Sequence, residues 1–177
     1  MTVTLARKPA PTPDVPGEFE VRNANAEADG GVLDIAERGF TRTRFHLDPL
    51  IPADVANRIK RDWAENALTG GRGDGMIVAV RDGAPVGFIA TLAAETDAGR
   101  SRVIDLIAVD EEARGAGAGG ALVASLLASA DGDFDDVRVG TQAANPAATR
   151  FYERLGFKTL SSAYDLHLHA GEGGELR

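Results

Sequence analysis

The sequence predicts an α/β fold of mixed α+β type, with a central mixed sheet of about six to seven strands flanked by about four helices. Two apolar runs in residues 76–92 meet at an Asp-Gly turn, which is typical of a β-hairpin. Farther along, apolar strands alternate with helix-like segments, and this order favours helices on both faces of the sheet. With 177 residues and no cysteine, the chain is long enough to bury a core without disulfides.

The N-terminal part predicts an arm, a strand and two helices. Four of the eight prolines lie within residues 9–16, so we expect residues 1–17 to form a flexible, proline-rich arm. A first strand is predicted at 19–22 and a first helix at 31–40. Pro52 can open a second helix, in which Val55, Ile59, Trp63 and Ala67 step by four and predict a stripe that faces the core.

The rest of the chain predicts one domain, which ends near residue 169. After the hairpin come a strand at 102–109, a glycine-rich loop and a helix that ends near residue 130. A strand at 137–142, a helix at 146–155 with Gly156 just past its end, and a last strand at 163–169 follow. We expect a single domain over 18–169 and a disordered tail over 170–177.

Composition excludes several classes of function. The formal net charge of −8 argues against a general nucleic-acid-binding protein. No apolar run is long enough to cross a membrane, and the N-terminus lacks the apolar core of a secretory signal. We therefore expect a cytoplasmic protein with neither a nucleic-acid nor a membrane partner, and either a monomer or a homodimer.

The glycine-rich loop is the strongest functional signal. It follows a predicted strand and opens a predicted helix, where free amides and the helix dipole favour phosphate. The spacing Gly115-x-Gly117-x-x-Gly120 also matches a dinucleotide fingerprint, but five residues separate it from the strand, whereas that fingerprint follows its strand at once. A flexible linker is disfavoured, because core-like residues lie on both sides. The predicted cofactor-binding loop comprises Arg114, Gly115, Ala116, Gly117, Ala118, Gly119 and Gly120.

Two segments, in order and with the expected spacing, resemble the signature of one family. Arg114-x-x-Gly117-x-Gly119 resembles the acyl-CoA pyrophosphate loop of the GNAT acyltransferase superfamily. Residues 145–157, Asn-Pro-Ala-Ala-Thr-Arg-Phe-Tyr-Glu-Arg-Leu-Gly-Phe, resemble the family segment Asn-x-x-(A/G)-x-x-x-Tyr-x-x-x-Gly-Phe. The resemblance implies a GNAT-like fold and an N-acetyltransferase that uses acetyl-CoA as co-substrate and acetylates a small-molecule amine.

The resemblance also implies roles for individual residues. Tyr152 matches the family's general acid, which protonates the leaving thiolate, and a phenol remains protonated at neutral pH. Asn145 matches a pantetheine contact. Packing alone could explain Tyr152, and helix capping alone could explain Asn145. The pantetheine is implied to pair with the strand before the loop, where amides polarise the thioester carbonyl; the residues are Leu106, Ile107, Ala108 and Val109.

The general base stays open at the level of sequence. Asp105 lies in an otherwise apolar strand, where a carboxylate is costly unless it is paired or functional. It is therefore a candidate base, acting directly or through water. A solvent-facing position or a salt bridge with Arg102 would equally explain it, and solvent water alone could take the proton.

No metal is expected. His167 and His169 are spaced so that they could share an ion, but a third ligand is not evident. Together with Asp165 they alternate with apolar residues, which favours a polar face on the last strand.

Further sequence similarity indicates a chemical class for the acceptor amine. The stretch from Arg44 and His46 to Pro52, the segment 63–68 and residues 140–142 resemble the nucleotide-linked amino-sugar N-acetyltransferases, which implies that Arg44 and His46 contact substrate. Arg38, Arg42 and Arg44 would suit a diphosphate, although they could equally pair with surface carboxylates. An amino acid, a drug amine or a protein N-terminus remain alternative acceptors, and a non-catalytic acyl-CoA sensor remains an alternative class.

Overall fold

The computed structural model describes residues 1–10 and 18–169 and contains one seven-stranded mixed sheet in the order β2-β3-β4-β5-β6-β1-β7. All neighbouring strands are antiparallel except β5 and β6. The strands are β1 (Thr2–Arg7), β2 (Glu20–Asn23), β3 (Gly75–Arg81), β4 (Ala84–Thr96), β5 (Gly99–Val109), β6 (Asp136–Gln142) and β7 (Lys158–Ala163). The helices are α1 (Val32–Gly39), α2 (Ala53–Leu68), α3 (Ala118–Ala130) and α4 (Pro146–Arg154). This architecture confirms the predicted fold class.

The helices cover both faces of the sheet because the strands are apolar on both sides. Along β3, Met76 and Val78 pack in one core cluster with α1 and α2, whereas Ile77 and Ala79 pack in the other with α3. This alternation follows from the two-residue repeat of a strand. None of the helices in the described part of the chain has the length and apolarity needed to cross a membrane.

The predicted flexible arm over residues 1–17 is wrong for Thr2–Arg7. These residues form β1, which lies between β6 and β7, and Leu5 is fully buried. Arg7 donates a hydrogen bond to the carbonyl of Leu155 at 2.5 Å and so holds the end of α4. Val3 and Leu5 alternate with threonines as a strand requires, and the proline-rich stretch begins only after the strand ends. Residues 11–17 and the predicted tail 170–177 lie outside the described residues.

The predicted last strand is also displaced. The structure has β7 at Lys158–Ala163, and residues 164–169 have no regular secondary structure. Pairing with β1 ends at Thr2 opposite Ala163, because the neighbouring strand begins there and offers no further partner.

Candidate active site

The site lies where two parallel strands part. β5 pairs with β6 only from Ser101 opposite Asp136 to Ile104 opposite Val139. Beyond Ile104, β5 continues to Val109 with a partner on its β4 side alone, while β6 stays paired with β1. The unpaired edge of β5 therefore faces a cavity of about 740 Å³.

A β-bulge marks the parting point. Ala90 pairs with Leu106 and Thr91 pairs with Ile104, so Asp105 is an extra residue without a partner on β4. Bulges re-aim side chains and interrupt pairing. The Asp105 side chain accordingly lines the cavity, which accounts for a carboxylate within an apolar strand.

Asp105 is paired, but with a different arginine from the one considered above. Arg72 Nε lies 2.6 Å from Oδ2 and Nη2 lies 2.9 Å from Oδ1, a two-point salt bridge. Arg102 instead pairs with Asp74 at 3.0 Å. The hydrogen bonds from Arg72 use one lone pair on each oxygen of Asp105, and a carboxylate has further lone pairs that a water molecule or an amine can reach.

The predicted pantetheine strand only partly lines the cavity with its side chains. Ile107, Ala108 and Val109 contribute to the wall. Leu106 is 2% exposed, packs in the core with α1 and α2, and is not part of the cavity wall. The carbonyl of Val109 accepts a hydrogen bond from Arg114 Nε at 3.2 Å, and this contact turns the arginine back toward the strand.

The glycine loop has a defined conformation rather than that of a linker. Gly115 and Gly117 have φ values of 81° and 98°, in the left-handed region that favours glycine. Gly117 is the N-cap of α3, and the first amide to bond back to it is that of Ala121. The amides of residues 118–120 donate to no backbone carbonyl in the described part of the chain, which is the arrangement expected of an anion-binding helix start.

The other loop positions serve packing or lie beyond the cavity. A Cβ on Gly119 would meet the Phe151 ring at 3.4 Å, so the helix approaches α4 closely there. Ala118 is buried at 1% exposure. Arg114 lines the cavity wall, whereas residues 115–120 lie outside it.

Tyr152 is both a core residue and part of the cavity wall. It is 3% exposed and makes edge-to-face contacts with Phe151 and Phe157 at 5.1 and 5.6 Å between ring centroids. Burial raises the pKa of its phenol, which keeps the group protonated. No described residue hydrogen-bonds to the hydroxyl, although Tyr152 lines the cavity.

Asn145 has two functions in the structure. Its side-chain oxygen accepts a hydrogen bond from the amide of Ala148 at 3.3 Å and caps α4. The residue also lines the cavity beside Tyr152. The capping interpretation is therefore confirmed, and it leaves the side-chain NH₂ group available to a ligand.

The two residues predicted to contact the substrate, Arg44 and His46, have different positions relative to the cavity. Arg44 lines the cavity, lies over the Phe45 ring at 4.9 Å and faces Asp165 at 3.9 Å. His46 lies outside the cavity wall, since its ring nitrogens contact Thr43 at 2.7 Å and Asn57 at 2.9 Å. The structure thus gives His46 a structural position that ties its loop to α2.

The three arginines predicted to suit a diphosphate, Arg38, Arg42 and Arg44, do not all lie at the cavity. Arg42 lines the cavity together with Arg44. Arg38 is largely exposed and lies 3.9 Å from Asp110. The alternative that these arginines pair with carboxylates is therefore correct for Arg38 and for Arg44, and both guanidinium side chains remain exposed to solvent.

Sequence reasoning missed Lys60, which is 7% exposed and lines the cavity. Its ammonium lies 4.2 Å from the Trp63 ring centroid and within 6 Å of the Phe40 and Phe45 rings. It has no carboxylate within 4 Å among the described residues. Burial lowers the pKa of Lys60 to about 8; the Asp105 charge opposes this shift, and nearby arginines add to it.

Lys60 was missed because α2 is rotated about its axis relative to the orientation that its apolar residues predict. Of the predicted stripe, Ala67 is buried, whereas Val55, Ile59 and Trp63 are only partly buried. The buried residues of α2 are Ala56, Lys60, Ala64 and Ala67. A lysine at the centre of a buried face contradicts the usual pattern, because lysine is almost never fully buried unless it is paired.

Comparison with known families identifies the family to which this chain belongs. Residues 39–157 match the sequence pattern of the acetyltransferase (GNAT) family, a range that holds both the glycine loop and the Tyr152 segment. The chain belongs to the GNAT acetyltransferase family. The resemblance drawn from the two motifs is thereby confirmed.

A curated relative is similar over most of this GNAT chain. The spore coat polysaccharide biosynthesis protein SpsD of Bacillus subtilis (strain 168) is 30% identical over 169 residues. The match covers 95% of this chain and 57% of the relative, so the chain spans little more than half of that protein's length.

Solved structures share the fold of this GNAT chain. A ribosomal-protein-alanine N-acetyltransferase from Brucella melitensis biovar Abortus 2308 superposes with a TM-score of 0.61 and 19% identity, covering 84% of this chain and 99% of the other. An acetyltransferase from Trypanosoma brucei superposes with a TM-score of 0.58 and 23% sequence identity, covering 85% of this chain and 99% of the other. The aminoglycoside N-acetyltransferase AAC(6')-Iy, solved in complex with CoA, superposes with a TM-score of 0.58 and 16% sequence identity. The match covers 88% of this chain and 98% of the other.

Proposed function

We propose that this domain transfers the acetyl group of acetyl-CoA directly to a primary amine of a small molecule, and that the acceptor is a nucleotide-linked amino sugar. The observation that carries the proposal is the parting of β5 and β6. It leaves an unpaired strand edge that leads toward Arg114 at the start of the glycine loop, and this edge lines the same cavity as the ring of Tyr152.

Two parts of the site would hold acetyl-CoA. The pyrophosphate would bind the free amides at the start of α3, with the positive charge of Arg114 nearby. The pantetheine would lie along the unpaired edge of residues 105–109 and pair with it as an added strand. An amide of that edge would donate to the thioester carbonyl and stabilise the oxyanion as it forms.

The reaction proceeds by direct attack in a ternary complex. The neutral amine nitrogen attacks the thioester carbon, a C–N bond forms and the C–S bond breaks. Tyr152 donates its proton to the departing thiolate. The proton lost from the amine passes through water, with the Asp105 carboxylate as its acceptor. Asp105 then releases this proton to solvent, and solvent returns a proton to the phenolate.

The charge of the cavity supports an anionic acceptor. Five cationic side chains line it against the carboxylates of Asp105 and Asp165, in a chain whose net charge is −8. A diphosphate would find ammonium and guanidinium donors in this region, which include the charge-assisted hydrogen bonds that phosphate prefers. The cations are Arg42, Arg44, Lys60, Arg72 and Arg114.

The curated relative supports the same class of acceptor. SpsD carries the description of a spore coat polysaccharide biosynthesis protein. Amino sugars are building blocks of polysaccharides, and a nucleotide diphosphate activates a sugar for transfer. An acceptor of this kind carries the amine and the negative charge that the proposed chemistry and the cationic wall require.

The proposal is tested with Tyr152→Phe. This change removes one hydroxyl and keeps the ring that packs against Phe151 and Phe157. We expect kcat for acetyl transfer to fall about a hundredfold or more, the usual contribution of a positioned general acid. Acetyl-CoA affinity, measured by calorimetry, should stay within error of the wild type.

Tyr164→Phe is the matched control, since Tyr164 is 80% exposed and is the only other tyrosine. It should leave both quantities unchanged. Unaltered turnover in Tyr152→Phe would exclude the tyrosine as the acid. Binding of acetyl-CoA without acetylation of any amine in a panel of amino sugars, amino acids, drug amines and peptides would support the sensor alternative instead.

A further inference from the structure

A three-residue cluster lies beside the end of the cavity that Arg44 and Asp165 line, the acceptor end, and outside the proposed catalytic machinery. Asp48 Oδ2 is 2.5 Å from Nδ1 of His167 and 2.8 Å from Nε2 of His169. The three donor atoms all lie within 4.8 Å of one another. The sequence alone offered two histidines and no third ligand, and the fold supplies the third from a loop that is 119 positions earlier than His167.

The carboxylate and one imidazole are held in place by contacts outside the cluster. Oδ1 of Asp48 accepts a hydrogen bond from the amide of Leu50 at 3.0 Å, which directs Oδ2 toward the histidines. The ring of Phe45 stacks on His167 at 5.8 Å, with 25° between the planes. Such supporting contacts are those that orient ligands in metal sites.

The segment that carries the histidines alternates in a way that favours binding. Asp165, His167 and His169 turn inward with partly buried side chains, whereas Leu166 is 90% exposed and Leu168 is 73% exposed. A polar row would bring little stability to residues 164–169, which have no strand partner. A ligand shared by the inward row would fix the segment in this position.

We propose that Asp48, His167 and His169 bind one divalent transition-metal ion of the zinc class. Two imidazole nitrogens and one carboxylate oxygen are donors that Zn²⁺ accepts, and small side-chain rotations would bring all three to about 2.0–2.2 Å from an ion. Three protein ligands leave a fourth position for water.

The ion would stabilise the acceptor end of the cavity. It joins residues 164–169 to the loop at 41–52, and these segments also meet through Arg44 and Asp165, which both line the cavity. Asp165 further accepts a hydrogen bond from Thr2 of β1. The proposal concerns the chain's own ligands and holds whether or not the domain acetylates an amino sugar.

The primary test is a zinc titration of the untagged chain after removal of metal with a chelator, followed by calorimetry and native mass spectrometry. We expect one Zn²⁺ per chain. His169→Ala should weaken binding by at least about tenfold, the lower bound of what even outer-shell partners contribute to metal sites. His46→Gln is the matched control, because His46 lies outside the cluster and glutamine keeps a hydrogen-bonding side chain toward Thr43 and Asn57; this variant should bind zinc as the wild type does.

A second measurement keeps the test decisive if His169→Ala is unstable. Zinc should slow hydrogen exchange of the amides in residues 164–169 of the wild type, and X-ray absorption should show imidazole ligation. Absence of stoichiometric binding to the wild type would overturn the proposal and leave two histidines that hydrogen-bond to one carboxylate. Equal zinc affinity in His169→Ala and His46→Gln, with ligation elsewhere, would overturn it as well.

Discussion

Arg72 donates two hydrogen bonds to the carboxylate of Asp105, of 2.6 and 2.9 Å, at the point where β5 and β6 part. The pair joins the segment after α2 to the bulge in β5 and so fixes the direction in which the bulged residue points. Asp105 also partly offsets the effect of burial on the pKa of Lys60, whereas the Arg72 charge adds to that effect. The salt bridge therefore influences both the shape and the charge of the cavity wall around Asp105 and Lys60.

We expect Asp105→Asn to lower kcat for acetyl transfer by about a hundredfold, the lower range of general-base contributions, because the amide cannot take the amine's proton. Acetyl-CoA affinity should change little. Asp74→Asn is the matched control, since Asp74 forms the neighbouring pair with Arg102 at 3.0 Å and does not line the cavity. Normal turnover in folded Asp105→Asn would show that the proton passes to solvent unaided.

The local parts of the site could be predicted from the sequence. The glycine loop and the Asn145 cap are set by a few adjacent residues whose backbone needs are visible in the chain itself. Gly156 indeed follows the last turn of α4, with a φ of 84°. Such features depend on short-range geometry, and the structure places them within one or two residues of the predicted positions.

The long-range parts could not be predicted. Arg72 and Asp105 are 33 positions apart, and their contact depends on a bulge that no local pattern indicates. Lys60 occupies the buried face because α2 is rotated by one residue from the stripe that its apolar side chains favour. The histidines that Asp48 contacts lie in the segment after β7, whose pairing with β1 ends at Ala163. These outcomes depend on which elements become neighbours, a property of the whole fold.

Gly117→Val should abolish acetyl-CoA binding in calorimetry. Gly117 has a φ of 98°, which a β-branched residue adopts only with strain of about 1–3 kcal/mol, and the start of α3 would have to move. Gly132→Val is the matched control, because Gly132 has a similar φ of 84° in the turn after α3 and open space around it. The control should suffer comparable strain and retain CoA affinity. Equal affinity in the two variants would remove the loop from the donor site.

Lys60→Met should raise the KM of a nucleotide-linked amino sugar by about tenfold, because a charged hydrogen-bond donor is lost. The KM of an amine without negative charge should not change. In the wild type, the KM of the anionic acceptor should increase as the pH rises through about 8, where Lys60 loses its proton, whereas the variant should show no such step. Lys158→Met, an exposed lysine on β7, serves as the control. A pH step that persists in Lys60→Met would assign it to another group.

The same substitution should stabilise the protein at neutral pH. The pKa of Lys60 is lowered from 10.5 to about 8, so the folded state binds its proton less tightly than the unfolded chain. Below pH 8 both states are protonated, and the wild type bears the full cost of a buried charge, up to about 3 kcal/mol. Between pH 8 and 10.5 the folded lysine is neutral and this cost is progressively relieved. The free energy of unfolding of Lys60→Met should therefore exceed that of the wild type at pH 7, and the difference should shrink toward pH 10.5. Denaturant unfolding at a series of pH values measures it, and a difference that does not vary with pH would contradict the burial of a charged lysine.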